Sequence, residues 1–157
     1  MIKPFEVEDT NQLIELLEAN AQDALAEGFA EYDIDRIITM VKGFANMPNR
    51  DILCAWRGSQ IVGHAIISAH KKAWGNDMLG DIHIFFVHPD HRNGFVAKDL
   101  FDACYSWFRQ RDCVCMMSSV QAWDKNFDPC ERWIENGEAF FGKLMQPVGT
   151  CYVKEIV

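Results

Sequence analysis

Val87-His88-Pro89-Asp90-His91-Arg92-Asn93-Gly94-Phe95-Val96-Ala97 joins the strongest strand pattern of the chain to an amphipathic helix. Upstream, Met78 to Val87 ends in Ile84-Phe85-Phe86-Val87, and Pro89 stops the strand. Downstream, a helix is expected from Gly94 to about Arg111, with Val96, Leu100, Cys104 and Phe108 repeating every four residues. The start of such a helix offers unpaired backbone N–H groups and a partial positive charge. Gly94 permits close approach to the backbone, and Arg92 adds a fixed cation. The combination reads as a phosphate or pyrophosphate cradle.

On the N-terminal side, Ile2 to Val7 reads as a short strand. Thr10 is placed to cap a helix bearing Leu13, Ile14, Leu16 and Leu17. Asp33 is placed to cap a second helix bearing Ile34, Ile37, Ile38 and Val41, which Met47-Pro48-Asn49 ends. Ile52–Trp56 and Ile61–Ala69 flank the turn signal Arg57-Gly58-Ser59-Gln60 and read as a hairpin. His70 to Asp77 reads as a polar loop. After the central helix come a strand at Val114–Val120, a helix from about Glu131 to Leu144 and a closing strand at Gly149–Ile156. This order predicts an α/β (α+β) domain. It has a mixed, mostly antiparallel central sheet, a parallel strand–helix–strand crossover from Met78 to Val120, and helices on both faces.

The 157 residues suit one domain. They carry 15 basic and 23 acidic side chains, a net charge of −8. The acids concentrate at the ends: residues 1–50 carry −6 and residues 112–157 carry −3, while residues 51–111 carry +1. General nucleic-acid binding is disfavoured, and an anionic ligand is best accommodated in the middle third. No apolar run approaches the ~18 residues of a membrane span. Acids in MIKPFEVEDT read against a signal peptide, so a cytoplasmic protein is expected. Six scattered cysteines, with only Cys113 and Cys115 close together, match no zinc pattern.

The same residues resemble the GNAT superfamily of acetyl-CoA-dependent N-acetyltransferases. Its strand end V-x-P stands here as Val87-His88-Pro89, and its Arg and glycine turn as Arg92 to Ala97. Glu138-Ala139-Phe140-Phe141-Gly142-Lys143-Leu144 resembles the family's C-terminal helix, and the end of the chain resembles short phage and bacterial members. The resemblance covers nearly the whole chain. It implies acetyl-CoA as cosubstrate, an amine acceptor and one domain over residues 1–157. Backbone groups of Phe85, Phe86 and Val87 would pair with the pantetheine arm. Those of Arg92, Asn93, Gly94, Phe95, Val96 and Ala97 would hold the pyrophosphate. A bulge in the Met78–Val87 strand would splay it from Val114–Val120 and expose N–H groups for the thioester oxyanion. Two departures stand out. Val96 falls on a usually small position, for which Ala97 is the alternative. Phe141 replaces a tyrosine that often protonates the leaving thiolate.

A base is needed because an alkylamine has a pKa near ~10.4. Asp81 and His83 lie two apart on the strand, hence on one face. His83 is favoured because it titrates near neutrality, with Asp81 as a second base or as orienter of the ring. All five histidines lie between 64 and 91 in no common ligand spacing, so no metal is expected. Tyr105 and Tyr152 are replacement acids, and Ser118 and Ser119 end a strand beside the expected cleft. By family analogy, the first two helices and their connection form the acceptor side of the cleft. Asp23, Glu27, Glu31, Asp33 and Asp35 there suit a small cationic amine or a protein lysine. The alternative is a non-catalytic domain of this type that holds CoA or a protein partner. The apolar last helix and strand offer a surface for a homodimer.

Overall fold

The computed structural model describes residues 1–26, 33–44, 47–73, 75–92, 94–118, 135 and 138–145. The chain divides into two compact units, Met1–Asn20 with Ile34–Ser119, and Ala21–Asp33 with Val120–Val157. The first unit holds one five-stranded sheet in the order β1-β2-β3-β4-β5: β1 Ile2–Pro4, β2 Arg50–Arg57, β3 Gln60–Lys71, β4 Met78–Val87 and β5 Cys113–Ser118. The first four strands pair antiparallel, and β5 pairs parallel to β4. The helices are α1 Thr10–Ala26, α2 Ile34–Phe44 and α3 Val96–Arg109.

Central position buries β3 from Ile61 to Ala69, a mostly apolar run that includes the polar His64 and Ser68. The β2–β3 hairpin turns at Gly58, whose φ of 60° is the left-handed conformation that favours glycine. One face of the sheet carries Ile52, Cys54, Ile66 and Phe86 against Leu13, Leu16 and Leu17 of α1 and Val41 and Phe44 of α2. The other face carries α3, where Trp107 Nε1 donates to Asp51 Oδ2 at 2.9 Å. Successive residues Asp51 and Ile52 thus face opposite layers, as the strand period requires.

Four expectations are corrected locally. Thr10 is helical, with φ −52° and ψ −46°, because a 3₁₀ turn at Val7–Asp9 runs straight into α1. Its hydroxyl donates to the Val7 carbonyl at 2.6 Å instead of capping an N–H. The first strand correspondingly stops at Pro4. His70 and Lys71 belong to β3, opposite Leu79 and Met78, and Lys72 N donates to Asp77 O to close the β3–β4 connection. The last helix expected is helical at 135 and 138–141, where the Phe140 and Phe141 rings meet edge to face at 5.1 Å. Residues 142–144 form a turn and not the helix's last turn as expected, while residues 131–134, 136 and 137 and the strand expected at 149–156 with Tyr152 lie outside the described residues.

Gly80 fixes how closely α3 packs on β4. A Cβ there would lie 2.4 Å from Cδ1 of Phe108, whose ring is itself buried and cannot swing away. Gly80→Ala is expected to cost about 1–3 kcal/mol through overpacking. Urea melts check this, and adding Phe108→Leu should recover part of the loss.

Candidate active site

The register of β4 is interrupted once against β3. Ile66 faces Ile84 and Ile67 faces Ile82, so His83 is the extra residue of a β-bulge. Against β5, pairing runs from Met78–Cys113 to Ile82–Ser118 and goes no further among the described residues. Asp81 and His83, two apart, face the same layer as expected: Asp81 lies opposite Ser68, and the His83 ring meets Ser68 and Phe44 of α2. The bulge breaks simple alternation, so that Asp81 and Ile84, three apart, share a face opposite Ser68 and Ile66.

His83 is exposed, yet its Nε2 lies 2.7 Å from Oγ of buried Ser68, and its ring meets Phe44 edge to face at 5.8 Å. Desolvation lowers its pKa from the usual 6.5; the Asp81 charge opposes that shift, and Arg50 and His70 add to it. Asp81 Oδ2 lies 3.2 Å from Nδ1 of His70. Arg50, Ser68 and Asp81 form one row across β2, β3 and β4. The Arg50 guanidinium stacks over Phe44, 4.6 Å from the ring centre. The site thus holds a neutral imidazole at pH 7 beside a carboxylate.

Four residues beyond the bulge, about 13 Å along the strand, β4 ends at the turn expected to hold the pyrophosphate. Phe85, Phe86 and Val87 pair with Ala65, His64 and Gly63, and His88 N donates to Val62 O. The Val87 carbonyl accepts from Arg92 Nε at 2.9 Å, and that guanidinium lies 5.4 Å from the Phe86 ring centre. Arg92 thus ties the strand end to the turn.

A 3₁₀ turn at Pro89–His91 follows, and α3 begins at Val96, two residues later than expected. Phe95, with ψ near 2°, caps the helix without a side-chain hydrogen bond. The first helical bond runs from Asp99 N to Phe95 O. The preceding N–H groups thus have no acceptor one turn back within the helix. Val96 is 4% exposed and packs largely into the core, while Ala97 is half-buried. Gly94 is exposed, and a Cβ there would meet nothing within 4 Å. Asn93 lies outside the described residues.

Arg57, Asp90, His91, Gly94 and Val96 line a depression at this turn. Arg57 was hidden in the sequence, where it reads only as part of a hairpin turn; pairing of β2 with β3 brings it beside residues 90–96. Among the described residues, no group of three His, Cys, Asp or Glu side chains is placed to hold a metal. Tyr105 is an exposed residue of α3 beneath Arg109. Ser118 pairs with Ile82 beside the bulge, and Ser119 lies outside the described residues.

A bulged strand that pairs parallel with its neighbour over Met78–Ile82 and ends in a turn leading to a helix start is the arrangement of an acyl-CoA transferase type of fold. The model of the acetyltransferase (GNAT) family matches residues 11–128, and the chain belongs to that family. Solved structures agree in fold. A ribosomal-protein-alanine N-acetyltransferase from Brucella melitensis biovar Abortus 2308 has a TM-score of 0.74 at 18% identity, covering 99% of both chains. A transcriptional regulator from Bacillus halodurans C-125 has a TM-score of 0.75 at 16% identity, covering 100% of this chain and 99% of that one. An aminoglycoside acetyltransferase from an uncultured soil metagenomic sample, in complex with sisomicin, has a TM-score of 0.67 at 15% identity, covering 99% and 96%. No curated protein matches the chain.

Proposed function

We propose that the protein transfers an acetyl group from acetyl-CoA to a cationic amine by direct attack. The observation that carries this reading is the placement of His83 at the bulge of the strand that leads into the Arg92–Ala97 turn. The pantetheine arm would run along Phe85–Val87. The pyrophosphate would rest on the N–H groups of the turn from Arg92 to Ala97, with Arg57 and Arg92 as cations. The neutral amine would attack the thioester carbon while a strand-edge N–H holds the oxyanion. The C–N bond forms, the C–S bond breaks, His83 takes the amine proton and the thiolate leaves. A thiol pKa of about 8–9 makes the thiolate a fair leaving group even with Phe141 in place of a tyrosine. Asp81 would favour the imidazolium by its charge.

The net charge of −8 and the acids Asp23, Asp33 and Asp35 support a cationic acceptor; Glu27 and Glu31 lie outside the described residues. The test is a calorimetric titration with acetyl-CoA, followed by thiol release with spermidine, sisomicin and an alanine-terminated peptide. Micromolar binding and release with an amine support the enzyme. Binding without release from any of the three favours the second reading, a CoA-holding domain without turnover, for which Phe141 speaks.

Arg92→Ala removes both a cation and the clamp on Val87. It is expected to weaken acetyl-CoA by about 10-fold or more, the value of one charge-assisted hydrogen bond. Unchanged affinity by calorimetry would remove the cradle assignment.

A further inference from the structure

The hydroxyl of Ser68 lies within hydrogen-bond reach of the ring that the bulge presents, 15 residues away in sequence. We infer that Ser68 is a positioning residue: it accepts the Nε2 proton of His83 and so fixes Nδ1 as the nitrogen that takes the proton from the amine. The inference rests on the reading of His83 as the base.

A neutral imidazole has one N–H and one lone pair, so the partner of one nitrogen decides the role of the other. Two arrangements place a hydrogen bond at 2.7 Å. If Ser68 donated to Nε2, protonation at that nitrogen would break the bond and force the hydroxyl to turn. If Nε2–H donates to Ser68, Nδ1 takes the new proton and the existing bond becomes charge-assisted. The second arrangement stabilises the imidazolium formed as the amine attacks, an interaction stronger in the transition state than before it. Ser68 is suited to this role because it is buried and held on both sides, opposite Arg50 on β2 and Asp81 on β4. The charged groups acting on the ring are Arg50 from β2, His70 from β3 and Asp81 from β4, while α2 contributes the uncharged Phe44. Among the described residues, the hydrogen-bond partner of Nε2 is Ser68.

The experiment is nitrogen NMR of the histidine rings across pH, with His83 assigned by the signal lost in His83→Gln. The wild-type ring should be the Nε2–H tautomer. Ser68→Ala should lower the His83 pKa by about 0.7, the difference between a charge-assisted and a neutral hydrogen bond. Ser68→Thr should restore it. An Nδ1–H tautomer in the wild type, or a pKa that rises or stays fixed in Ser68→Ala, overturns the inference. The wild-type tautomer decides the matter even if Ser68→Ala does not fold. Turnover with the amines above reads the other question separately. Loss of rate in His83→Gln with no pKa change in Ser68→Ala leaves the base and removes the positioning role. An unchanged rate in His83→Gln removes the base.

Discussion

His83→Gln is expected to slow acetyl transfer by about 100-fold or more, the lower range for loss of a general base, while acetyl-CoA affinity stays unchanged. The affinity would be spared because the proposed cradle lies at Val87–Ala97, beyond the bulge, and would rest on backbone N–H groups and on Arg57 and Arg92. Glutamine keeps a polar side chain near Ser68 but cannot take a proton near neutrality. The pH profile carries the sharper signature. Burial lowers the His83 pKa from 6.5, so the ring is neutral, and competent as a base, at pH 7. Wild-type rate should therefore fall only as pH drops below about 6.5. In His83→Gln that acidic limb should vanish from steady-state kcat/KM for the amine. A variant that keeps the wild-type limb assigns the base elsewhere, with Asp81 next in line.

The second large effect concerns stability. His64 is fully buried, in register with Cys54 on β2 and Phe86 on β4. Neither of its ring nitrogens has a hydrogen-bond partner among the described residues. Desolvation pushes its pKa down from 6.5 to about 4. Above pH 6.5 the ring is neutral folded and unfolded, so it adds no pH dependence. Between pH 6.5 and 4 the unfolded chain binds a proton that the folded core refuses, so stability falls as pH falls. The loss reaches about 3 kcal/mol near pH 4. His83, also lowered, adds to the same slope. Urea midpoints between pH 4.5 and 7.5 should fall with acid in the wild type and much less in His64→Leu. Equal slopes in the two proteins would remove His64 as the cause. At pH 7 the variant should be no less stable, because a leucine of similar volume replaces two unsatisfied polar atoms.

Much of the fold was legible in local pattern. The bounds of β4 were readable to the residue because an apolar run closed by Pro89 leaves little choice of end. The buried residues Val96, Leu100, Cys104 and Phe108 of α3 followed from their four-residue spacing. The turn proposed as a cradle was readable as a strand end, a glycine and an arginine before a helix start, all within eleven residues. Helix and strand ends were less legible, because they depend on neighbours. Thr10 is helical only because the preceding turn leads into it, and β3 extends to Lys71 only because Met78 and Leu79 lie opposite.

The sequence by itself determined the order of elements, the turn that would hold an anion, and His83 with Asp81 as candidates for acid–base chemistry. These are local matters, set by periodicity, by proline and glycine, and by side-chain type. Tertiary structure alone decided which groups meet. It put an extra residue at His83 rather than elsewhere in β4, and it set Ser68 against that ring and Arg57 beside the cradle. It also left the ring nitrogens of His64 without a hydrogen-bond partner among the described residues. Strand register is the physical reason: a shift of one residue reverses every side chain, and it is fixed by pairing between segments distant in sequence.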